Sequence, residues 1–349
     1  MALSQSLSNP SQVLQRNESL FSNKSILVAG NIDDSYPIQL QTIALSSCFC
    51  FNDYRYYDKL KSKLNASDVY FTDNFQGKKD QQKFDLLLIY IPKAKHETEY
   101  LLANLAPHLK AGADIILVGE KKCGIKSIST LLTPYSNNSN AIDSARHCSV
   151  IYAQLSKPVA NFEQQEWIKD YQLNLNDISL TICSLPGVFS FGELDKGSEL
   201  LLNNLPDKLD GKGLDFGCGA GVLSCYLLKK HQNLSLDLVD VNAYALASAK
   251  LTLEKNKLKG NVFASDVFSN VDKRYNLLLS NPPFHSGQKT NYEAAETFIN
   301  QSIDFLEKKG KITIVANKFL RYEPLLMATY KKMTEDAKNN KFKVLSCIK

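Results

Sequence analysis

The strongest constraint on the fold is a pattern in which short apolar segments alternate with longer amphipathic ones. In the second half of the chain the apolar segments are GLDFG (213–217), LSLDLVDV (234–241), YNLLLSN (275–281) and KITIVAN (311–317). Between the last two, apolar residues recur at helical spacing from Thr290 to Leu306, which predicts an amphipathic helix. Strands that alternate with helices are typical of α/β proteins with a mostly parallel sheet.

The first half of the chain repeats this pattern, with apolar segments at residues 25–31, 84–92 and 113–120. Residues 85–93 align with 276–284 at an offset of 191, and residues 115–118 align with 313–316 at an offset of 198. Internal repetition of this kind predicts two related α/β domains in tandem. A chance match between two apolar strands is the alternative, because buried parallel strands resemble one another.

The length of the chain agrees with this organisation, since 349 residues suffice for about two domains. A turn signal at residues 184–187 lies within a β-rich run that follows Pro158 and Trp167. We place the boundary near residue 165, between a domain of residues 1–165 and a domain of residues 166–349.

The composition favours a globular protein of the cytoplasm. Hydrophobic residues make up 44% of the chain and charged residues 22%, as in ordinary globular proteins. No apolar run approaches the ~18 residues of a membrane-spanning helix, and the first twenty residues lack the features of a signal peptide. Eight cysteines and five histidines are scattered without C-x-x-C or paired histidine spacing. We therefore expect reduced thiols, no metal site and no membrane partner.

The charge distribution along the chain is uneven. The net charge is +5, but residues 308–349 contain eleven Lys or Arg and only three Asp or Glu, so the remainder is slightly acidic. A basic segment of this kind fits a polyanionic partner such as nucleic acid. A solvated lysine-rich surface without a partner is the alternative.

A glycine-rich turn joins a predicted strand to a predicted helix in the second half. Asp215 precedes Gly217, Gly219 and Gly221 in the segment DFGCGAG. Glycines at alternate positions let the backbone turn sharply and approach a ligand closely. The spacing differs from the G-x-G-x-x-G dinucleotide fingerprint and resembles the loop of S-adenosylmethionine-dependent methyltransferases. The Asp215 carboxylate would suit the cationic end of that ligand, and a purely structural turn is the alternative.

Two further carboxylates follow predicted strands. Asp240 ends the strand after the glycine-rich turn, where a carboxylate can accept hydrogen bonds from both ribose hydroxyls of a nucleoside cofactor. Asp266 ends the next strand and could accept a hydrogen bond from the adenine amino group. Each alone could equally be a helix cap or turn residue. Their joint position favours a ligand site, because α/β sheets bind ligands at the carboxyl ends of their strands.

The most specific signal is the segment SNPPFH at residues 280–285, at the end of the fourth predicted strand. The exocyclic amino group of a base is a poor nucleophile because its lone pair is delocalised into the ring. The side-chain oxygen of Asn281 and the carbonyl of Pro282 could accept its two protons and favour the reactive, pyramidal state. Phe284 offers an aromatic face on which a flipped base could stack. The alternative is a Pro-Pro strand terminator followed by a core phenylalanine.

Two neighbouring features are less decisive. His285 could contact the base or its phosphate, but a hydrogen-bonded structural histidine is favoured. The segment LDKGS (194–198) precedes a predicted helix, with Ser198 as the expected N-cap. The same segment could also close over the cofactor.

Taken together and in this order, these segments resemble the ribosomal RNA small subunit methyltransferase C family. The resemblance covers most of residues 184–349. The matching segments are SLPGVFS (184–190), LDKGSELLL (194–202), DFGCGAGVLS (215–224), ASDVF (264–268), SNPPFHSG (280–287) and VANKFL (315–320).

The resemblance implies two tandem Rossmann-like class I methyltransferase domains, of which the first is degenerate and supports or places RNA. It implies transfer of a methyl group from S-adenosyl-L-methionine to N2 of guanine 1207 in 16S rRNA of the 30S subunit. We expect the protein to be a monomer. The implied cofactor-binding residues are Asp215, Gly217, Gly219, Gly221, Asp240, Asp266 and Asn281. The implied guanine-binding residues are Asn281 to Phe284. Among them we expect Asn281, Pro282 and Phe284 to be catalytic, and we expect Pro283 and His285 to bind the substrate.

Other functions share parts of this pattern. A large-subunit 23S rRNA guanine-N2 methyltransferase has the same tandem plan and the NPPFH segment. More distant enzymes with NPPY or NPPF methylate adenine N6 in DNA or glutamine amides in release factors. A non-catalytic RNA-binding or assembly protein would require the glycine-rich loop and NPPF to be relics, and both segments are intact.

Overall fold

The computed structural model describes residues 6–78, 82–282 and 289–349. The chain divides into two compact units, Met1–Trp167 and Ile168–Lys349. Among the described residues, every helix is too short or too polar to cross a lipid bilayer.

The first unit is an α/β sandwich. Its strands are β1 (Ser25–Gly30), β2 (Ser46–Phe51), β3 (Val69–Phe71), β4 (Phe84–Tyr90), β5 (Leu109–Glu120), β6 (Ser139–Ala145) and β7 (Cys148–Gln154). Its helices are α1 (Asn9–Gln15), α2 (Tyr36–Ile43), α3 (Tyr54–Leu60), α4 (Lys95–Leu105) and α5 (Ile125–Ile128). The strands form one sheet in the order β3-β2-β1-β4-β5-β7-β6, in which β7 pairs antiparallel with β5 and β6.

The second unit has the same plan, preceded by the antiparallel hairpin β8 (Lys169–Leu175) and β9 (Ile178–Ser184). Its other strands are β10 (Gly211–Phe216), β11 (Leu234–Asp240), β12 (Asn261–Ala264), β13 (Tyr275–Ser280), β14 (Leu306–Asn317), β15 (Met333–Lys338) and β16 (Phe342–Ile348). Its helices are α6 (Lys196–Asn203), α7 (Val222–Lys230), α8 (Ala243–Lys255), α9 (Lys289–Gln301) and α10 (Glu323–Thr329).

The two main sheets have the same strand order. In the second unit the order is β12-β11-β10-β13-β14-β16-β15, which matches the first unit strand for strand. The central strands of both sheets pair in parallel, and their apolar side chains are buried by helices on both faces. The predicted α/β class with two tandem Rossmann-like domains is therefore confirmed.

The pairing registers correct one detail of the internal alignment. With Leu86 placed on Leu277 at the offset of 191, their partners Asp114 and Lys311 coincide, so β5 and β14 correspond at an offset of 197 and not 198. This offset places Gly112 (φ +74°) on Lys309 (φ +67°), and both residues have left-handed backbone. The sequence alignment was shifted by one residue because it matched glycine to glycine.

The predicted helix from Thr290 to Leu306 is shorter in the structure. Helix α9 ends at Gln301, a 3₁₀ turn covers Ser302–Phe305, and Leu306 begins β14. Leu306 is buried beside the helical residues, so its spacing fitted a helix although its backbone is extended.

Candidate active site

The candidate residues that the structure describes lie at the carboxyl ends of the second unit's parallel strands. Asp215 is near the end of β10, Asp240 is the last residue of β11, and Asn281 follows β13 directly. The Ser280 hydroxyl donates a hydrogen bond of 2.7 Å to the Phe216 carbonyl, which joins the ends of β10 and β13. Pro283, Phe284 and His285 lie outside the described residues.

The glycine-rich turn has the backbone that its sequence predicts. Gly217, Gly219 and Gly221 have φ angles of +69°, +53° and +77°, a region that glycine enters without steric cost. A Cβ added at Gly217 or Gly219 would meet no atom of the described residues within 4 Å, whereas one at Gly221 would lie 3.3 Å from Ala249 of α8. The first two glycines therefore face open space, and the third lets the turn pack against a helix.

Asp215 is buried with one oxygen unsatisfied. The residue is 1% exposed, and its Oδ2 accepts a hydrogen bond of 2.6 Å from the Ser224 hydroxyl. Its Oδ1 is buried without a hydrogen-bond partner. Burial, with a smaller contribution from the negative charge of Asp240, raises the pKa of Asp215 to about 7. A cationic group at Oδ1 would remove this electrostatic cost, so the residue fits the cationic end of S-adenosylmethionine.

Asp240 holds the glycine-rich turn in place. Its Oδ2 accepts the Gly219 N–H at 3.0 Å, and its Oδ1 accepts the Asn242 N–H at 2.9 Å. A carboxylate has about four lone-pair sites, which is more than these two hydrogen bonds use. The sequence did not predict this contact between Asp240 and the glycine-rich turn.

Asp266 lies in a tight turn after β12. The Ser265 hydroxyl donates to the Val267 carbonyl at 2.8 Å and accepts the Asn270 N–H at 3.2 Å, which fixes the turn. The Asp266 N–H donates to the Ser269 hydroxyl at 3.0 Å. The hydrogen bonds seen among the described residues do not connect Asp266 with the other candidate residues.

Asn281 is oriented by helix α6. Its Nδ2 donates hydrogen bonds of 2.8 Å to Asp195 Oδ2 and 2.8 Å to Ser198 Oγ. Its Oδ1 is buried and has no hydrogen-bond partner among the residues that the structure describes. An ionised carboxylate only accepts hydrogen bonds. Asp195 therefore requires the NH₂ group on its side and leaves Oδ1 as a free acceptor.

The prediction that Ser198 is the N-cap of α6 is wrong. Asp195 caps α6 by accepting the Ser198 N–H at 2.9 Å, and Ser198 lies in the first turn of the helix. Asp195 thus combines two contacts, with the helix and with Asn281, and the sequence analysis assigned it neither. The signal that could have found it is the capping pattern itself, since aspartate precedes the helix start by one residue.

The same positions in the first unit are filled with apolar side chains. The registers of the two sheets place Gly30 on Gly217 and Phe51 on Asp240. Two residues beyond Gly30, Ile32 corresponds to Gly219 and is 2% exposed, while Phe51 is 1% exposed. Both belong to one apolar core cluster.

The contact between Asn281 and Ser198 has a counterpart in the first unit. Tyr90 corresponds to Asn281, and its hydroxyl lies 2.9 Å from Ser11 Oγ of helix α1. Asn281 contacts Ser198 in the second unit, so a serine partner occurs in both units. At this position the second unit has an amide acceptor, whereas the first unit has the buried phenol of Tyr90.

Metal ligands and disulfides are not observed. Within the described ranges, no group of three or more His, Cys, Asp or Glu side chains is placed to hold a metal ion. The cysteines are free thiols, and all are buried except Cys123, which is partly exposed.

Comparison with known proteins agrees with the division of the chain into two units. The family described as "Methyltransferase small domain" matches residues 179–346, and "Methyltransferase small domain N-terminal" matches residues 11–171. A solved structure described as T. thermophilus 16S rRNA N2 G1207 methyltransferase in complex with AdoMet and guanosine superposes with a TM-score of 0.84. It is 22% identical and covers 98% of this chain and 92% of that chain. At this identity the superposition shows the shared fold.

Curated relatives are more similar in sequence. The ribosomal RNA small subunit methyltransferase C of Aeromonas hydrophila is 45% identical over 98% of both chains. That of Psychromonas ingrahamii is 68% identical over 98% of this chain and 97% of its own length. With identity this high over both units, the chain belongs to the ribosomal RNA small subunit methyltransferase C family.

Proposed function

We propose that this protein transfers the methyl group of S-adenosylmethionine to the exocyclic N2 of guanine 1207 in 16S rRNA. Membership of the family supports the reaction, and the T. thermophilus protein of the same fold is a 16S rRNA N2 G1207 methyltransferase. The observation that carries the proposal is the buried Oδ1 of Asn281 at the end of β13, which has no hydrogen-bond partner within residues 6–78, 82–282 and 289–349.

Asn281 acts on the amine of the guanine. Its Oδ1 accepts one N–H of that amine, and the Pro282 carbonyl accepts the other. These fixed acceptors favour the state in which the nitrogen lone pair is localised and can attack. The hydrogen bonds from Asn281 to Asp195 and Ser198 keep Oδ1 facing the base, so the amide does not have to reorient during the reaction.

The residues around the glycine-rich turn bind the cofactor. When bound, S-adenosylmethionine supplies an electrophilic methyl group. Asp215 Oδ1 attracts its cationic end, the backbone of Gly217 and Gly219 allows close approach, and Asp240 and Asp266 bind the ribose and adenine. The methylated amine gives up its extra proton readily to water, so no side chain has to act as a general base.

The proposal is tested by mapping the modified nucleotide. The protein is incubated with labelled S-adenosylmethionine and, in parallel, with naked 16S rRNA, 30S subunits and 50S subunits, each lacking the modification. We expect N2-methylguanine at position 1207, and no label in 16S rRNA that carries adenine there. Labelling confined to 23S rRNA would favour the large-subunit alternative, and no labelling would favour a non-catalytic role.

The affinity for S-adenosylmethionine should rise with pH through the pKa of Asp215. This pKa is raised to about 7 in the free protein, so the carboxyl is mostly neutral at pH 6 and attracts a cation weakly. Below pH 7 we expect Kd to weaken by up to about tenfold per pH unit as the proton must be displaced. Calorimetry between pH 5.5 and 7.5 measures both Kd and the released proton.

Asp215→Asn is the matched control for this pH dependence. Its affinity should be low and nearly independent of pH, because the amide carries no charge at any pH in the range. A wild-type Kd that does not change over this range would contradict the assignment of Asp215. An Asp215→Asn profile as steep as that of the wild type would contradict it equally.

A further inference from the structure

The turn after β14 presents an exposed aromatic side chain at the same edge of the sheet as Asn281. β13 and β14 are neighbours, with Ser280 opposite Ile314, so Asn281 and this turn leave the sheet in the same direction. Phe319, in the turn, is 60% exposed. The turn is well defined, because the Lys318 N–H donates to the Lys341 carbonyl at 2.9 Å.

Exposed cations lie near Phe319 in the sequence or are joined to its turn by a backbone hydrogen bond. Lys318, Arg321 and Lys341 are all exposed. In the part of the chain that the structure describes, Lys318 and Arg321 take part in no ion pair, and the nearest carboxylate in sequence, Glu323, pairs with the buried Lys343 at 2.5 Å. The turn therefore combines an aromatic face with positive charge, and no carboxylate among the described residues pairs with Lys318 or Arg321.

The first unit shows that the turn does not need this aromatic residue. At the offset of 197, Lys318 and Phe319 correspond to Lys121 and Lys122. The Lys121 N–H donates to the His147 carbonyl at 2.8 Å, as its counterpart does. Lys122 pairs with Glu120 at 2.5 Å and presents no aromatic face. The exposed phenylalanine thus occurs in the unit that has the glycine-rich turn and Asn281.

We propose that the Phe319 turn, residues 318–321, binds the RNA strand next to the target guanine. A guanine that enters the site leaves its base stack, so a neighbouring base loses a stacking partner. Phe319 stacks on that neighbouring base, and Lys318 and Arg321 contact the flanking phosphates. Stacking of this kind tolerates any base, because every base has a π-face. This inference rests on the proposed function and adds a second contact with the substrate strand.

The test measures affinity for a 16S rRNA fragment that holds guanine 1207 in an unpaired strand. Phe319→Ala should weaken Kd by about 5- to 100-fold, since base–aromatic stacking is worth this much in other proteins. Phe319→Trp should retain or improve affinity. Met327→Ala removes another exposed apolar side chain of the same unit, 53% exposed on α10, and should bind RNA as the wild type does. S-adenosylmethionine affinity should be unchanged in all three.

Salt dependence separates stacking from charge. Lys318→Ala and Arg321→Ala should each reduce the slope of log Kd against log salt by about 0.7, as expected for one phosphate contact with a single strand. Phe319→Ala should leave the slope unchanged while it weakens binding at every salt concentration. A steeper or shallower slope in Phe319→Ala would contradict a stacking role.

Three results would overturn the proposal. The first is wild-type RNA affinity in Phe319→Ala, and the second is a Phe319→Trp protein as weak as Phe319→Ala, which would indicate a packing role. The third is a defect seen on assembled subunits but not on naked RNA, which would indicate a contact with ribosomal protein. Failure of the proposed function is a separate outcome, since it would appear as a wild-type protein that methylates no 16S guanine.

Discussion

Replacing Asn281 by alanine is expected to lower kcat by about 10²- to 10³-fold, the usual cost of losing one preorganised polar group that acts on a transition state. The Kd of S-adenosylmethionine should stay close to its wild-type value, because the residues assigned to its cationic end, ribose and adenine remain. Single-turnover methylation of 16S rRNA measures the chemical step, and calorimetry measures cofactor binding. Near-wild-type turnover by this variant would refute the role of the amide oxygen.

Asp240→Ala serves as the contrasting variant. Loss of this carboxylate removes the acceptor for the Gly219 N–H and for the ribose, so Kd for the cofactor should weaken. At saturating cofactor its chemical step should fall much less than that of Asn281→Ala. Equal loss of the chemical step in both variants would mean that the two residues do not have separate roles.

A double-mutant cycle tests whether Asp195 acts through Asn281. Asp195→Asn keeps a good helix cap, but its amide can donate to Asn281 Oδ1 and so no longer fixes the orientation of that side chain. We expect kcat to fall about tenfold in the wild-type background and to stay unchanged in Asn281→Ala, because the energetic coupling disappears with the partner. A merely structural role of Asp195 would lower activity in both backgrounds by the same factor.

Local backbone conformation was predictable from the sequence, whereas contacts between distant segments of the chain were not. The alternating glycines predicted a sharp turn, and Gly217, Gly219 and Gly221 adopt the left-handed backbone that few other residues enter. The end of β13 was predictable because two prolines follow an apolar run. The hydrogen bond from Asn281 to Asp195 joins residues 86 positions apart. No local pattern encodes it, so it required the fold.

The one-residue error in the internal alignment also arose at a place where the sequence does not show the backbone conformation. The strand pairs β4–β5 and β13–β14 each contain a register irregularity near their start. Lys309 adopts the left-handed backbone that Gly112 adopts in the first unit, without being glycine. The two units therefore share the backbone conformation at this position but not the residue type. An alignment based on residue type was wrong here for that reason.

Full-length protein is expected to bind one molecule of S-adenosylmethionine per chain, with no binding in the first unit. In that unit Ile32 lies where the second unit has Gly219, Phe51 replaces Asp240, and the buried Tyr90 replaces Asn281. Opening a cofactor site there would expose these side chains at a cost of about 1.5–3 kcal/mol each. Even if it were opened, this site would lack a carboxylate to bind the ribose and an open glycine-rich turn.

Calorimetry of the full chain gives the stoichiometry directly, and the double variant Asp215→Ala/Asp240→Ala shows whether any second site remains. We expect one site in the wild type and no saturable binding in the double variant. Two sites, or residual saturable binding in the double variant, would mean that the first unit has retained a cofactor pocket. The Ser11–Tyr90 contact argues against that outcome. It repeats the serine contact of Asn281, and the buried phenol of Tyr90 fills the position at which the second unit has an amide.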